Sequence, residues 1–186
     1  AVDRIKALAG PADFLWPDPT AFEVYRDQAG EWRWRLLHRN GEVLADGGEG
    51  YAKRGNARRA IDTIREHVGD MEFETYTDAA DEHRFRLLAR NGEILGDSGE
   101  GYASADSLDE AIERIREYVP EADLLEIGQA AFELYEDAGG EFRWRLRHRN
   151  GNLIAGSGEG YVDRSNARDG IQSVKLNAPN ADVEWE

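Results

Sequence analysis

Residues 22–51, FEVYRDQAGEWRWRLLHRNGEVLADGGEGY, decide how this chain is built. They read as three short strands. Phe22 and Val24 alternate with Glu23 and Tyr25. After a turn carrying Asp27, Ala29 and Gly30, the residues Trp32, Trp34 and Leu36 alternate with Arg33 and Arg35. Successive side chains of a strand point to opposite faces, so one face of this segment is apolar and the other charged. Asn40-Gly41 then signals a hairpin, because a two-residue type I′ turn needs positive φ at both central positions. Residues 42–45 supply the third strand, and a glycine-rich stretch ending at Tyr51 leads out of the meander.

The pattern returns without a gap at 73–102 (FETYTDAADEHRFRLLARNGEILGDSGEGY) and 132–161 (FELYEDAGGEFRWRLRHRNGNLIAGSGEGY), so the units start 51 and 59 residues apart. A fixed self-similarity of this length marks a tandem repeat. After the second meander, Leu108, Ala111, Ile112, Ile115 and Val119 recur at helical spacing. Equivalent helices follow the other two, with expected N-caps at Asn56, at Asp106 or Ser107, and at Ser165 or Asn166. A strand-like piece comes after the second and third helices, at residues 124–127 and 183–185. Residues 1–13 align with 111–123 and with 170–182, so the chain opens on the helix of a repeat whose three strands are missing, with 14–16 as its strand.

The expected organisation is therefore a helix-and-strand tail at 1–20 and full repeats at 21–70, 71–128 and 129–186. The chain reads as a fragment of a longer array, the alternative being a native half-repeat that caps it. The eight-residue shortening of the first junction fuses a post-helix strand with the next first strand around residues 71–76. On that reading 71–186 forms one paired two-repeat domain, and the first full repeat pairs with the tail. The fold class is α+β: mainly antiparallel sheets with helices packed on one face.

Composition narrows the setting. Asp and Glu number 38 against 23 Lys and Arg, for a net charge of −15, and only Lys6, Lys53 and Lys175 are lysines. An acidic surface poor in lysine suits a halophilic, archaeal cytosol, where a Debye length of about 3 Å at 1 M salt screens self-repulsion. The absence of cysteine removes disulfides and thiolate chemistry. No apolar run approaches the roughly 18 residues that span a bilayer, and no signal peptide is visible, so a cytoplasmic location and no membrane partner are expected.

The FE-x-Y start of each unit, the WRWRL, HRFRL and FRWRL second strands, the Asn-Gly hairpins, the glycine-rich GEGY turns and the SNA helix start together resemble the YegP-like family of small domains of unknown function, found singly or in tandem. The resemblance covers nearly the whole chain. It implies a β3-α-β unit, with two units building one sheet and exchanging C-terminal strands. It implies no activity and no catalytic residues. The incomplete first unit and the fused junction after His67 depart from that pattern.

The arginines are the strongest candidate site. Arg33 and Arg35, Arg84 and Arg86, and Arg143 and Arg145 fall on the polar face of the second strand in each unit. Six guanidiniums in register could hold carboxylates, phosphates or a nucleic-acid backbone. The competing reading pairs them across strands with Glu23, Glu74 and Glu133 or with Tyr25, Tyr76 and Tyr135. Net negative charge and high salt argue against nucleic acid, because counterion release then adds little affinity. Glu49, Glu100 and Glu159 sit inside the glycine-rich turns and argue against a phosphate cradle there, which leaves a structural turn with glycines at positive φ.

His38, His67, His83 and His148 lie singly on different elements, with no metal-ligand spacing, and no carboxylate sits in an apolar context suited to acid–base work. No cofactor, no metal and no catalytic residue is expected. The chain reads as a non-enzymatic module that binds a protein partner or self-associates, through sheet edges or the arginine face; the alternative is anion or nucleic-acid binding through the arginines.

Overall fold

The computed structural model describes residues 2–181. In chain order it contains α1 (Val2–Leu8), β1 (Asp13–Leu15), β2 (Thr20–Arg26), β3 (Trp32–His38), β4 (Val43–Asp46), α2 (Arg54–His67), β5 (Glu72–Thr77), β6 (His83–Leu88) and β7 (Ile94–Ser98). There follow α3 (Ala105–Tyr118), β8 (Asp123–Glu126), β9 (Ala130–Glu136), β10 (Phe142–His148), β11 (Leu153–Gly156) and α4 (Arg164–Asn177). Each full repeat is thus three strands and a helix. The strand expected at 183–185 lies outside the described residues.

The chain divides into two compact units. The larger comprises Pro17–His38 with Glu42–Leu125. Its sheet has seven strands in the order β5-β6-β7-β4-β3-β2-β8. The β2–β3, β3–β4, β4–β7, β5–β6 and β6–β7 pairs are all antiparallel. Alternation does what the sequence implies. Phe22, Val24, Trp34 and Leu36 from the first repeat, with Phe85 and Leu87 from the second, are buried against Ala57, Ile61 and Ile64 of α2 and Leu108, Ile112 and Ile115 of α3. Both helices therefore cover one face of one sheet. Phe22 meets Trp34 edge-on at 5.5 Å between ring centres, and Phe73 meets Phe85 likewise at 5.2 Å.

The smaller unit comprises Ala1–Trp16, Arg39–Gly41 and Glu126–Glu186. Its sheet runs β1-β9-β10-β11, with β1 parallel to β9 and the other pairs antiparallel. Phe132, Leu134, Trp144 and Leu146 form its core with Ala167 and Ile171 of α4 and with Leu8 and Ala9 at the end of α1.

The repeats do not pair as the sequence suggested. The first and second full repeats share one sheet through β4 and β7, while the tail pairs with the third repeat. The short junction leaves no free strand between α2 and β5, so repeats one and two stay in register side by side. The longer junction carries β8, which turns back to flank β2.

Local details also differ. The Asn-Gly turns are not type I′: only Gly41, Gly92 and Gly151 take positive φ, not the asparagines before them. In the second repeat Gly92 N–H donates to Ala89 O at 2.8 Å and Ala89 N–H to Glu93 O at 2.8 Å, a type I turn closed by a glycine bulge. A register shift in the following strand pair accompanies it. The helices begin two to three residues before the expected caps. Ser104 Oγ accepts from Ser107 N–H, Asp163 Oδ1 accepts from Asn166 N–H, and Lys53 stands at the N-cap of α2 without a side-chain bond. No helix among the described residues is long and apolar enough to cross a membrane.

Candidate functional site

The six arginines lie where alternation put them, and each is engaged with carboxylates. Arg33, Arg84 and Arg143 make one repeated contact. Nε donates to the second oxygen of Asp27 (2.6 Å), Asp78 (2.5 Å) or Asp137 (2.6 Å) in the preceding turn. The first oxygen of the same aspartate accepts the backbone N–H of Glu31 (2.9 Å), Glu82 (3.1 Å) or Glu141 (3.1 Å). The arginine and these amides hold all three aspartate carboxyls below the ordinary carboxylate range, the arginine hydrogen bond being the larger cause. This Asp–Arg clasp fixes the turn between the first two strands. The alternation argument missed it because Asp27 belongs to a loop. Its signal was an aspartate six residues before the arginine in all three units.

The second arginine of each unit crosses to the first strand. Arg35 pairs with Glu23, Arg145 with Glu133, and Arg86 with Glu74 at 3.5 Å. Each guanidinium also lies over a tyrosine ring: Tyr25 at 5.0 Å, Tyr76 at 4.6 Å and Tyr135 at 5.1 Å. The two sets of partners weighed from sequence are thus both in use at once. Arg147, which the sequence analysis did not single out, donates to the other oxygen of Glu133 at 2.9 Å and to Gly151 O at 2.8 Å.

The three equivalent pairs differ in burial. Glu23 and Glu133 are 0% and 2% exposed, whereas the Glu74 side chain is 52% exposed. β2 is flanked by β8 and β9 by β1, while among the described residues β5 pairs only with β6.

At the centre of the seven-stranded sheet Asp46 faces Asp97 across the β4–β7 pair. Burial, and then the Asp97 charge, push the Asp46 carboxyl above its ordinary range. The charges of Arg33, Arg35 and Arg84 temper this, and Arg86 Nε lies 3.7 Å from Asp97 Oδ1.

The glycine-rich turns are structural, though for a different reason from the one expected. Tyr51, Tyr102 and Tyr161 bridge back to Trp32, His83 and Phe142 as isolated backbone pairs. A Cβ at Gly50, Gly101 or Gly160 would fall 2.6 Å from the Cβ of Glu31, Glu82 or Glu141. Close approach, not positive φ, requires glycine there.

Among the described residues no group of three or more His, Asp or Glu side chains could hold a metal ion. His38 stacks on Tyr118 at 6.2 Å. A surface cavity of about 360 Å³ is lined by Thr63, His67, Met71 and Leu95, among others, and edged by Arg90 and Asp70, which are 3.9 Å apart and largely exposed.

This geometry defines a tandem α+β repeat protein whose charged face carries the same ion pairs in each of its three units. The chain belongs to the family described as domain of unknown function DUF1508, which matches residues 27–74, 78–126 and 137–184. It is similar to the UPF0339 protein in the ptx operon 5′ region of Stutzerimonas stutzeri, with 33% identity over 58% of this chain and 96% of that one. A UPF0339 protein of Methanosarcina acetivorans is 56% identical over 28% of this chain and 88% of its own. Among solved structures, the E. coli protein of unknown function yegP superposes with a TM-score of 0.52 at 23% identity, covering 60% of this chain and 94% of that one. UPF0339 protein SO3888 of Shewanella oneidensis gives 0.53 at 22%, covering 58% and 91%. These two likenesses show the fold.

Proposed function

We propose that the chain is a non-enzymatic interaction module of a halophilic cytosol that binds a protein partner by adding an extended strand to β5. The observation that carries this reading is the contrast among equivalent first strands. The first five residues of β2 and of β9, each of which has a second neighbouring strand, are buried, whereas four of the six residues of β5 are exposed. An edge strand presents unpaired N–H and C=O groups that template another chain. The occupant would resemble β1, which lies parallel to β9 with apolar Phe14 and Leu15 after an aspartate. The arginine ladder supports the reading indirectly. With its guanidiniums held by Asp and Glu, that face has little charge left to offer a phosphate backbone.

The test is proline substitution at Thr75 and at Tyr76 in turn. Adjacent residues of an edge strand send their N–H groups to opposite sides, so one variant spares the β5–β6 ladder and removes an outward donor. The variant that keeps the native unfolding midpoint should lose the partner that the unmodified chain retains in multimolar KCl. Equal retention by that variant, or nucleic acid bound at that salt, would overturn the proposal.

A further inference from the structure

The larger unit contains its own example of how two repeats join. Asp46 and Asp97 hold the same place in their repeats and face each other, so β4 and β7 meet about an approximate two-fold axis. The join is tight. Leu44, Ala45, Leu95 and Ser98 are buried. A Cβ added at Gly96 would fall 2.6 Å from Asp46 O and 2.8 Å from the Trp34 ring. β11 is the third copy of this strand and, among the described residues, the last in its sheet. Its residues Ile154 and Ala155, and Ser157 just after it, are only half-buried, and a Cβ at Gly158 would meet nothing within 4 Å. In the larger unit the equivalent Gly99 Cβ would meet Val43 O at 2.2 Å.

The join also has two complementary sides. The first repeat brings Trp34 and Ala45; the second brings Phe85 in place of the tryptophan and Gly96 in place of the alanine. The larger ring thus faces the residue without a side chain. The third repeat carries Trp144 and Ala155, matching the first repeat at both places. Two copies of β11 joined in this geometry would press each Ala155 methyl into the partner copy's tryptophan and backbone. A meander of the second kind would fit. Moreover, Gly156 stands where Asp46 and Asp97 stand, so an aspartate on the incoming strand meets no opposing carboxylate. The helix that accompanies the second repeat is already represented: α1 aligns with the C-terminal half of α3, and Leu8 and Ala9 at its end pack into the same core as Trp144.

We infer that β11 is a docking edge for a three-stranded meander of the second-repeat kind, with Phe at the place of Phe85 and Gly at the place of Gly96. This surface is separate from the β5 edge, and either can fail without the other. The test adds a synthetic polypeptide of residues 71–104 to the full chain and follows amide exchange at 153–157. Saturable protection there is expected, weakened about tenfold or more when the polypeptide carries Gly96→Ala. Protection indifferent to that alanine would overturn the inference, as would protection of 153–157 in the unmodified chain that rises with its own concentration. Should the polypeptide not fold, Ala155→Gly in the full chain decides. Removing that methyl should permit a β11–β11 dimer, seen by sedimentation velocity, that the unmodified chain does not form. A variant that stays monomeric, with no response to the polypeptide, would refute it.

Discussion

Alanine at Gly99 and alanine at Gly158 are the same substitution at equivalent places in the second and third repeats, and the structure assigns them different outcomes. Neither glycine has positive φ, so alanine suits both backbones. At Gly99 the new methyl would lie 2.2 Å from Val43 O and 2.6 Å from a Val43 methyl. A backbone oxygen cannot move aside cheaply, so strands β4 and β7 must separate locally. Overpacking of this kind costs about 1–3 kcal/mol. For a unit of roughly a hundred residues that lowers Tm by about 4–12 °C. At Gly158 the methyl meets nothing within 4 Å, and the restricted unfolded chain should give a gain of about 0.4–1 kcal/mol. Urea and thermal unfolding of the two variants, followed by tryptophan fluorescence, make the comparison. Equal shifts would refute the reasoning, since it rests on a neighbouring strand lying against Gly99 and none against Gly158.

Removing one partner of a buried pair strands the other, so Glu23→Ala should cost about 3–5 kcal/mol in urea unfolding. The equivalent Glu74→Ala, at the exposed β5 edge, should cost about 0–1 kcal/mol. Asp46 has a raised folded pKa, so its ionisation removes stability as pH climbs through that range. Asp46→Asn should therefore stabilise by up to about 1 kcal/mol at pH 7, and the gain should vanish in acid where Asp46 is protonated. Asp27, Asp78 and Asp137 shift the other way. Their contribution is present above the ordinary carboxyl range near 4 and is lost as pH falls through their lowered values, so acid titration should release the clasps; Asp78→Asn should flatten that part of the curve.

What could be read in the sequence followed from period. Alternation places Glu23 opposite Arg35 and Glu133 opposite Arg145, and those residues are direct cross-strand partners. Helical spacing found the buried stripe of α3 in the same way. Period carries no information about loops, which is why the Asp27 clasp and the bulged Asn-Gly turn escaped. Nor does it say which first strand a post-helix strand will flank. The junction lengths held that information, but a short linker can mean either fusion within a pair or separation between pairs. Only the β4–β7 join settles which.

The differences among the repeats are as informative as their likeness. Where three copies share a fold, a position that changes reports on something outside its own repeat. Trp34 lies where a Cβ at Gly96 would fall, and the second repeat carries Phe85 and Gly96 where the first carries Trp34 and Ala45. Gly156 replaces the facing aspartates, and Arg147 replaces Leu37 and Leu88 to give Glu133 a second guanidinium. By that logic Trp144 and Ala155 are not remnants of a generic repeat. They match the first-repeat half of the β4–β7 join, and on the inference drawn for β11 they keep the shape that a strand of the second-repeat kind would fill.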